Sequence, residues 1–489
     1  MNSRKINGFN LTDEQNQIVD TICLSKESLL VNAYAGASKS STSSAVCKEY
    51  KGNILYTTFG SKNVAEAKKS FGDYANCVTN YGLAFRSVGK QYLDKGRLPE
   101  IFPIEQISEF LKLKTFSIDG FQFTKNNQAH DILKTIIKYC YSTDEEINLN
   151  HFYSDIFKDN SEYQSIASRY GNKIVKYSRQ LKEHMFSIKS NFPITHDIYV
   201  KIWALSKPDL SNYDLIIGDE FQDVNPVFYQ VIKDQPCQKL IVGDQYQSIF
   251  EWRGAVDAMG MMGIDKKLYL SKSFRFGNNV ADLSKLIIKD QLGENICIKG
   301  FENINTVIDY SPTVYNNFTV LCRTNAVCLR YLIEVYKVNK KVKFIGETTK
   351  MIRYIYDIMA LRSKRQAKGS LSIFKTYRDL VEYTKTPMGG EIKTLISIID
   401  NARKNEIDIK HLIDIFRNSS GTRKPDIIIT TSHSSKGLEF NNVMLANDFK
   451  RPGDDNWEKQ DGHLLYTACT RVKQNLDVSR CSAITSILK

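Results

Sequence analysis

Asp219 and Glu220 stand together at the end of the short apolar run Leu215-Ile216-Ile217-Gly218, with Asp223 close behind. An apolar run of that length, closed abruptly by charge, predicts a buried strand whose C-terminal end opens into a site. Two adjacent carboxylates at a strand end can divide the labour of phosphoryl transfer. Asp219 can hold Mg²⁺ through water, and Glu220 can orient and polarise an attacking water. An acidic surface loop is the other reading, and the stretch alone does not decide between them.

A second stretch has the complementary chemistry. Ser28-Leu29-Leu30-Val31-Asn32-Ala33 reads as a strand, followed by Tyr34-Ala35-Gly36-Ala37-Ser38-Lys39-Ser40-Ser41-Thr42 and a helix beginning near Lys39. Strand, small-residue loop, Lys-Ser and helix is the layout of a phosphate-binding loop. Backbone N–H groups face the anion, Lys39 reaches the terminal phosphates and the Ser40 hydroxyl binds Mg²⁺. The usual pattern has glycine where this chain carries Ala33 and Ser38. A serine forced into left-handed backbone costs about 1–2 kcal/mol. Taken alone, such a loop is an ordinary turn more often than not.

Other residues have chemistry that depends on where the fold puts them. Gln15 can be an ordinary helix-surface residue or can use its amide to read an adenine edge. Phe59 and Tyr81 follow strand-like runs, where open α/β sheets place ligands, or they pack in the core. Gln247 follows the run Lys239–Gly243 and can sense a terminal phosphate. Trp252 beside Arg253 can stack on a base while pairing a phosphate, or the indole can be buried.

These residues need parallel strands to carry them. Strand patterns recur at Asn53–Phe59, Cys77–Gly82, Leu215–Gly218, Lys239–Gly243, Phe318–Asn325 with a polar exit, and Pro425–Thr431. Between Phe85 and about Asn191 the pattern turns helical, with Ile104–Leu113, Ala129–Tyr141 and Ile174–Ser187 and lysines interleaved with aromatics. The region from Thr348 to Ser420 is again helical and basic, with Gly389-Gly390 as a break. Thr12 or Asp13 caps the first helix.

The chain has 489 residues, 42% of them hydrophobic, and a net charge of +13 with a pI near 9.0. That length and apolar content fit several packed domains and exclude a disordered chain. The basic excess points to a polyanion, nucleic acid first. Ten cysteines and seven histidines show no paired metal-ligand spacing. Reduced, mostly buried thiols in a cytosolic setting are expected. No apolar run approaches the ~20 residues of a membrane span, and residues 1–11 lack an apolar signal core.

Taken in order, the motif segments resemble the superfamily 1 DNA helicases of the UvrD/Rep type, closest to the F-box DNA helicase branch. The matching segments are Leu11–Gln15, Asn32–Thr42, Tyr56–Lys62, Thr79–Leu83, Asp219–Asp223, Gly243–Ala255, Ser273–Gly277, Val320–Ala326, Thr431–Phe440 and Leu464–Lys473. Asp219-Glu220-Phe221-Gln222-Asp223, Gly243-Asp244 with Gln247, and Lys436-Gly437-Leu438-Glu439-Phe440 carry most of the specificity.

The resemblance implies an α/β protein with two RecA-like parallel-sheet motor domains, each with a mainly helical insertion, and ATP between them. The first motor domain would be 1–84 and 192–265, with insertion 85–191. The second would be 266–347 and 421–489, with insertion 348–420. ATP and Mg²⁺ would be the cofactors. Gln15 and Phe274 would hold adenine, and Glu439 the ribose. Ala33, Tyr34, Ala35, Gly36, Ala37, Ser38, Lys39, Ser40 and Ser41 would cradle phosphates. Ser40 and Asp219 would hold the metal and Glu220 would activate water. Gln247, Arg275 and Arg471 would contact the γ-phosphate.

Phe59, Tyr81, Trp252, Arg253 and His433 match positions near single-stranded DNA. The implied activity is an ATP-dependent, 3′-to-5′ translocase on single-stranded DNA that opens duplex junctions, with one chain as the motor unit and a cytoplasmic or nucleoid setting. Tyr81 departs from the family, which often has histidine there. The short second insertion and the few residues after Arg471 give no sign of a partner-binding domain or nuclease. A slowly hydrolysing DNA-bound scaffold and an RNA-directed motor are the alternatives.

Overall fold

The computed structural model describes residues 4–6, 8–99, 102–119, 121–154, 164–249, 258–311, 317–337, 340–346, 348–368, 371, 374, 376–384, 390–404, 409–421 and 423–487. The chain divides into two compact units. The first is Met1–Ala33 with Ser38–Leu270, and the second is Tyr34–Ala37 with Ser271–Lys489.

The first unit is built on a six-stranded sheet in the order Lys267–Leu270, Leu29–Ala33, Gln238–Gly243, Leu215–Gly218, Ile54–Thr58, Asn76–Thr79. Every pairing is parallel. Leu29–Ala33, Ile54–Thr58 and Leu215–Gly218 are buried at every position, as expected of strands covered on both faces. The strand Lys267–Leu270 corrects the expected boundary at 265/266. It pairs with Leu29–Ala33 in the first sheet, so the second unit starts after it. Tyr81 likewise lies on a short helix, Asn80–Ala84, capped by the Thr79 hydroxyl, and the preceding strand ends at Thr79.

The helical region after Phe85 contains Glu105–Phe110, Lys125–Tyr141 and Gln164–Phe186. It also holds an antiparallel hairpin, Phe116–Ile118 with Phe121–Phe123. Three-residue strands are too short to show a period of two in sequence. Phe123 stacks on Tyr170 at 4.0 Å between centroids, which pins the hairpin to the long helix.

Arg97 is 2% exposed and closes the far end of that helix. Its guanidinium donates to the carbonyls of His184, Met185, Ser187 and Phe192 at 3.2, 3.0, 2.7 and 2.6 Å. These include terminal carbonyls that a helix cannot satisfy itself, at its negative dipole end. Arg97→Met is expected to destabilise the protein by about 3 kcal/mol. A urea melt with a wild-type midpoint would refute that.

The second unit repeats the plan with a six-stranded sheet in the order Val307–Asp309, Val472–Asp477, Phe440–Leu445, Phe318–Cys322, Ile427–Thr431, Val342–Ile345. All its pairings are parallel. The 348–420 region folds as helices Thr348–Arg362, Tyr377–Tyr383, Gly390–Lys404 and Ile409–Gly421. Ile355, Ile358, Leu395, Ile399 and Phe416 share one core with the sheet residues Val320 and Ile429. Gly390 opens a helix, while Gly389 lies outside the described residues. No helix among the described residues is long and apolar enough to cross a membrane.

Candidate active site

Three neighbouring strands of the first sheet, Leu29–Ala33, Gln238–Gly243 and Leu215–Gly218, run parallel. Their C-terminal ends therefore lie on one edge. Lys39, Asp244 and Asp219-Glu220 are far apart in sequence, yet the sheet delivers them to the same place.

Lys39 Nζ lies 2.9 Å from Glu220 Oε1. Burial works against charge on Lys39, but Glu220, Asp219 and Asp244 prevail and hold its pKa above the ordinary value. Asp219 is 4% exposed. Burial and the neighbouring Glu220 raise its pKa, against the pull of Lys39 and of a hydrogen bond from the Tyr56 hydroxyl to Oδ2 at 2.5 Å. The second Glu220 oxygen accepts from Gln222 Nε2 at 2.6 Å. Asp244 accepts from Gln247 Nε2 at 2.6 Å and from the Tyr246 N–H at 3.1 Å.

Two residues here adopt left-handed backbone. Ser38, at φ 55 and ψ 42, precedes the helix Lys39–Glu49, and Glu220 has φ 52 and ψ 40. Each bears about 1–2 kcal/mol of strain that glycine would avoid. The Ser40 hydroxyl is exposed in the first turn of that helix. A hydroxyl and a carboxylate make an all-oxygen donor set that fits Mg²⁺ shared with a phosphate ligand.

Gln15 has a structural duty. Its Oε1 accepts from the Thr12 N–H at 3.0 Å while the Thr12 hydroxyl accepts from its own N–H, a capping box. Its Nε2 donates to Thr42 Oγ at 3.1 Å, tying the first helix to the helix that starts at Lys39.

In the second unit, the Phe274 N–H donates to Gly36 O at 2.9 Å and the Ala35 N–H to the Tyr466 hydroxyl at 3.3 Å. Gly36 has φ +76, and a Cβ on it would stand 2.4 Å from Ser273 Oγ and 2.8 Å from Arg275 Cβ. Conformation and space both demand glycine. Phe274 is 37% exposed and packs on Phe301 with 5.3 Å between centroids.

Arg275 donates through Nε to Glu439 Oε1 at 2.8 Å and through Nη1 to Thr470 O at 2.7 Å. Lys473 Nζ takes the other Glu439 oxygen at 2.8 Å. Burial opposes charge on Glu439, but Arg275 and Lys473 prevail and hold its pKa below the ordinary carboxylate value. Arg471 is 2% exposed, just past the helix Lys459–Cys469, and donates through Nε to Thr467 O at 3.0 Å.

Phe59 and Tyr81 meet edge to face with 6.3 Å between centroids. They line a pocket of ≈ 620 Å³ in the first unit whose walls include Tyr141, Asp197, Asp223 and Asn225. The Tyr81 hydroxyl donates to Asp197 Oδ1 at 2.6 Å. His433 is half-buried in the turn after the strand Ile427–Thr431. Trp252 and Arg253 lie outside the described residues.

The family model of the UvrD-like helicase C-terminal domain matches residues 84–483. The chain belongs to the UvrD-like helicases. F-box DNA helicase 1 of Gallus gallus is 27% identical over 528 residues, covering 98% of this chain and 50% of that protein. F-box DNA helicase protein 1 of Schizosaccharomyces pombe is 27% identical, covering 95% of this chain and 57% of that protein. DNA helicase II of Escherichia coli is 24% identical, covering 75% and 54%. The chain thus spans about half the length of each of these relatives.

Within this UvrD-like helicase, Lys39, Asp219 and Glu220 come together in the first unit, with Gln247 held on Asp244, and Arg275 meets Glu439 in the second. Tyr56, Gln222 and Asp244 orient those groups, and Asp197 orients Tyr81. Tyr56, Gln222 and Asp244 lie inside the motif segments, but their types and spacing do not show these partners. Asp197 has no local signal, because it acts on a residue remote in sequence.

Proposed function

We propose that this UvrD-like helicase is an ATP-driven motor that tracks along single-stranded DNA, 3′ to 5′, and opens duplex. The observation that carries the reading is the Lys39–Glu220 pair beside Asp219 at the phosphate-loop edge of a parallel sheet. The relatives are named DNA helicases, which favours DNA over RNA as the track.

A phosphate that takes Lys39 would withdraw the cation from Glu220 Oε1 and leave the carboxylate held by Gln222, with one oxygen free to receive a proton from water. Mg²⁺ held by Ser40 and Asp219 would supply charge neutralisation on the phosphate oxygens. Gln15 and Phe274 are read as adenine contacts, Glu439 as the ribose contact, and Gln247, Arg275 and Arg471 as γ-phosphate contacts. Residues 85–191 and 348–420 are read as insertions in the two motor domains. Phe59, Tyr81, Trp252, Arg253 and His433 are read as the DNA side, where stacking contributes ~1–3 kcal/mol per base without regard to sequence.

The test is unwinding of duplexes carrying a 3′ or a 5′ single-stranded tail, with and without ATP. Opening of the 3′-tailed substrate alone, and only with ATP, is expected. Absence of DNA-dependent ATP hydrolysis would overturn the reading. Single-strand affinity should also fall with salt at a log–log slope of about −0.7 per neutralised phosphate, and a flat response would count against a basic track.

A further inference from the structure

We propose that Gln222 is a positioning residue that ties Glu220 to both the Asp244–Gln247 turn and the wall of the aromatic pocket, so that occupancy of the pocket sets the carboxylate for ATP turnover. The inference rests on the function proposed above.

The amide of Gln222 uses its two ends for different partners. Nε2 donates to Glu220 Oε2 at 2.6 Å and lies 3.5 Å from Asp223 Oδ2. Oε1 accepts the Asp244 N–H at 3.1 Å. The Gln222 main-chain carbonyl accepts the Ser248 hydroxyl at 3.2 Å, so both ends of the 244–248 turn are fastened to this one residue. Asp244 then holds Gln247 at 2.6 Å. The result is an unbroken series of contacts: Lys39, Glu220 and Gln222 join through their side chains, Gln222 joins the Asp244 main-chain N–H, and the Asp244 carboxylate joins Gln247. Gln222 is 2% exposed, so water does not compete for these bonds.

Gly243 carries an independent mark of the same contact. A Cβ there would stand 2.4 Å from Gln222 Oε1 and 2.6 Å from the sulfur of Met259. The glycine leaves the space in which the amide lies. On the other side, the residues directly after Gln222, namely Asp223, Val224 and Asn225, form part of the wall of the ≈ 620 Å³ pocket lined by Phe59 and Tyr81. A ligand that shifts that wall acts on the residue that orients Glu220.

The residue type is determined by these demands. Glutamine of this length offers a donor to a carboxylate and an acceptor to an N–H at once. Glutamate keeps the acceptor, loses the donor and sets a second carboxylate against Glu220. Methionine keeps the volume and loses both bonds.

The experiment compares the full chain with Gln222→Glu, Gln222→Met and Gly243→Ala. Steady-state ATP hydrolysis is measured with and without an oligothymidine strand, alongside binding of a fluorescent ATP analogue and a thermal melt. In the two Gln222 variants, DNA-stimulated kcat is expected to fall about 10–100-fold. Analogue affinity should stay within about threefold, and the ratio of stimulated to basal rate should drop toward one. Gly243→Ala, which reaches the same bond from the other side, should lower the ratio in the same way.

A merely structural role would lower melting temperature and analogue binding together and leave the ratio intact. That result, or unchanged ratios in well-folded variants, overturns the inference. A wild-type chain that hydrolyses no ATP overturns the functional reading itself. An active wild type with unaltered variant ratios overturns only the role of Gln222.

Discussion

Glu220→Gln is expected to lower DNA-stimulated ATP hydrolysis by about 10²–10⁴-fold while nucleotide binding survives. The substitution keeps the length of the side chain and removes its charge. A neutral amide cannot accept the proton of an attacking water, and general-base catalysis is lost. The variant should fold, because the change is isosteric: Lys39 at 2.9 Å and Gln222 Nε2 at 2.6 Å contact different Glu220 oxygens, so one donor keeps the amide oxygen while the other faces the N–H₂ group, a modest local cost. Single-turnover hydrolysis with an analogue-binding control separates lost chemistry from lost binding. Turnover within about threefold of wild type would remove Glu220 from the reaction.

Lys39→Ala is expected to be as damaging to turnover, and for a different reason. It should abolish nucleotide binding, with DNA-stimulated hydrolysis down by about 10²–10³-fold or more. It also removes the cation that Glu220, Asp219 and Asp244 share. Leaving those carboxylates uncompensated should cost stability of about 1–2 kcal/mol, discounted for the partial exposure of the pair.

The folded pKa of Lys39 lies above its ordinary value, so its contribution is fully present at neutral pH and is lost only in alkali, as pH rises through the folded pKa. The deficit of Lys39→Ala should therefore be undiminished at pH 7. Pairing it with Glu220→Gln in a double-mutant cycle should recover part of the lost stability, since the second change removes one of the stranded charges. Strict additivity in denaturant melts would show that the ion pair contributes nothing.

Local features were legible wherever a residue answered to its own neighbours. The apolar runs Leu29–Ala33, Leu215–Gly218, Phe318–Cys322 and Ile427–Thr431 are strands, because short runs rich in Leu, Ile and Val are buried on both faces. Thr12 caps the first helix by bonds to Gln15, three residues on, and the second helix opens at Lys39 directly after the left-handed Ser38. The helical character of 348–420 came from its spacing of apolar residues.

Strands of three or four residues were harder. Val307–Asp309 and Val342–Ile345 carry too few alternations to be seen, and Lys267–Leu270 looked like the start of a new unit. Only its hydrogen bonds to Leu29–Ala33 assign it to the first sheet.

By itself, then, the sequence determined which stretches are buried, where two helices begin, and that a small-residue loop ending in lysine and a strand ending in acids are present. The tertiary structure decided who meets whom. Tyr56 holds Asp219, Asp197 holds Tyr81, and Gln222 bridges Glu220 to Asp244. The physical reason is the parallel sheet. Periodicity records which face of a strand is covered, but neighbours in a parallel sheet are chosen by packing between remote segments. Hydrogen bonds across such neighbours leave no trace in local sequence.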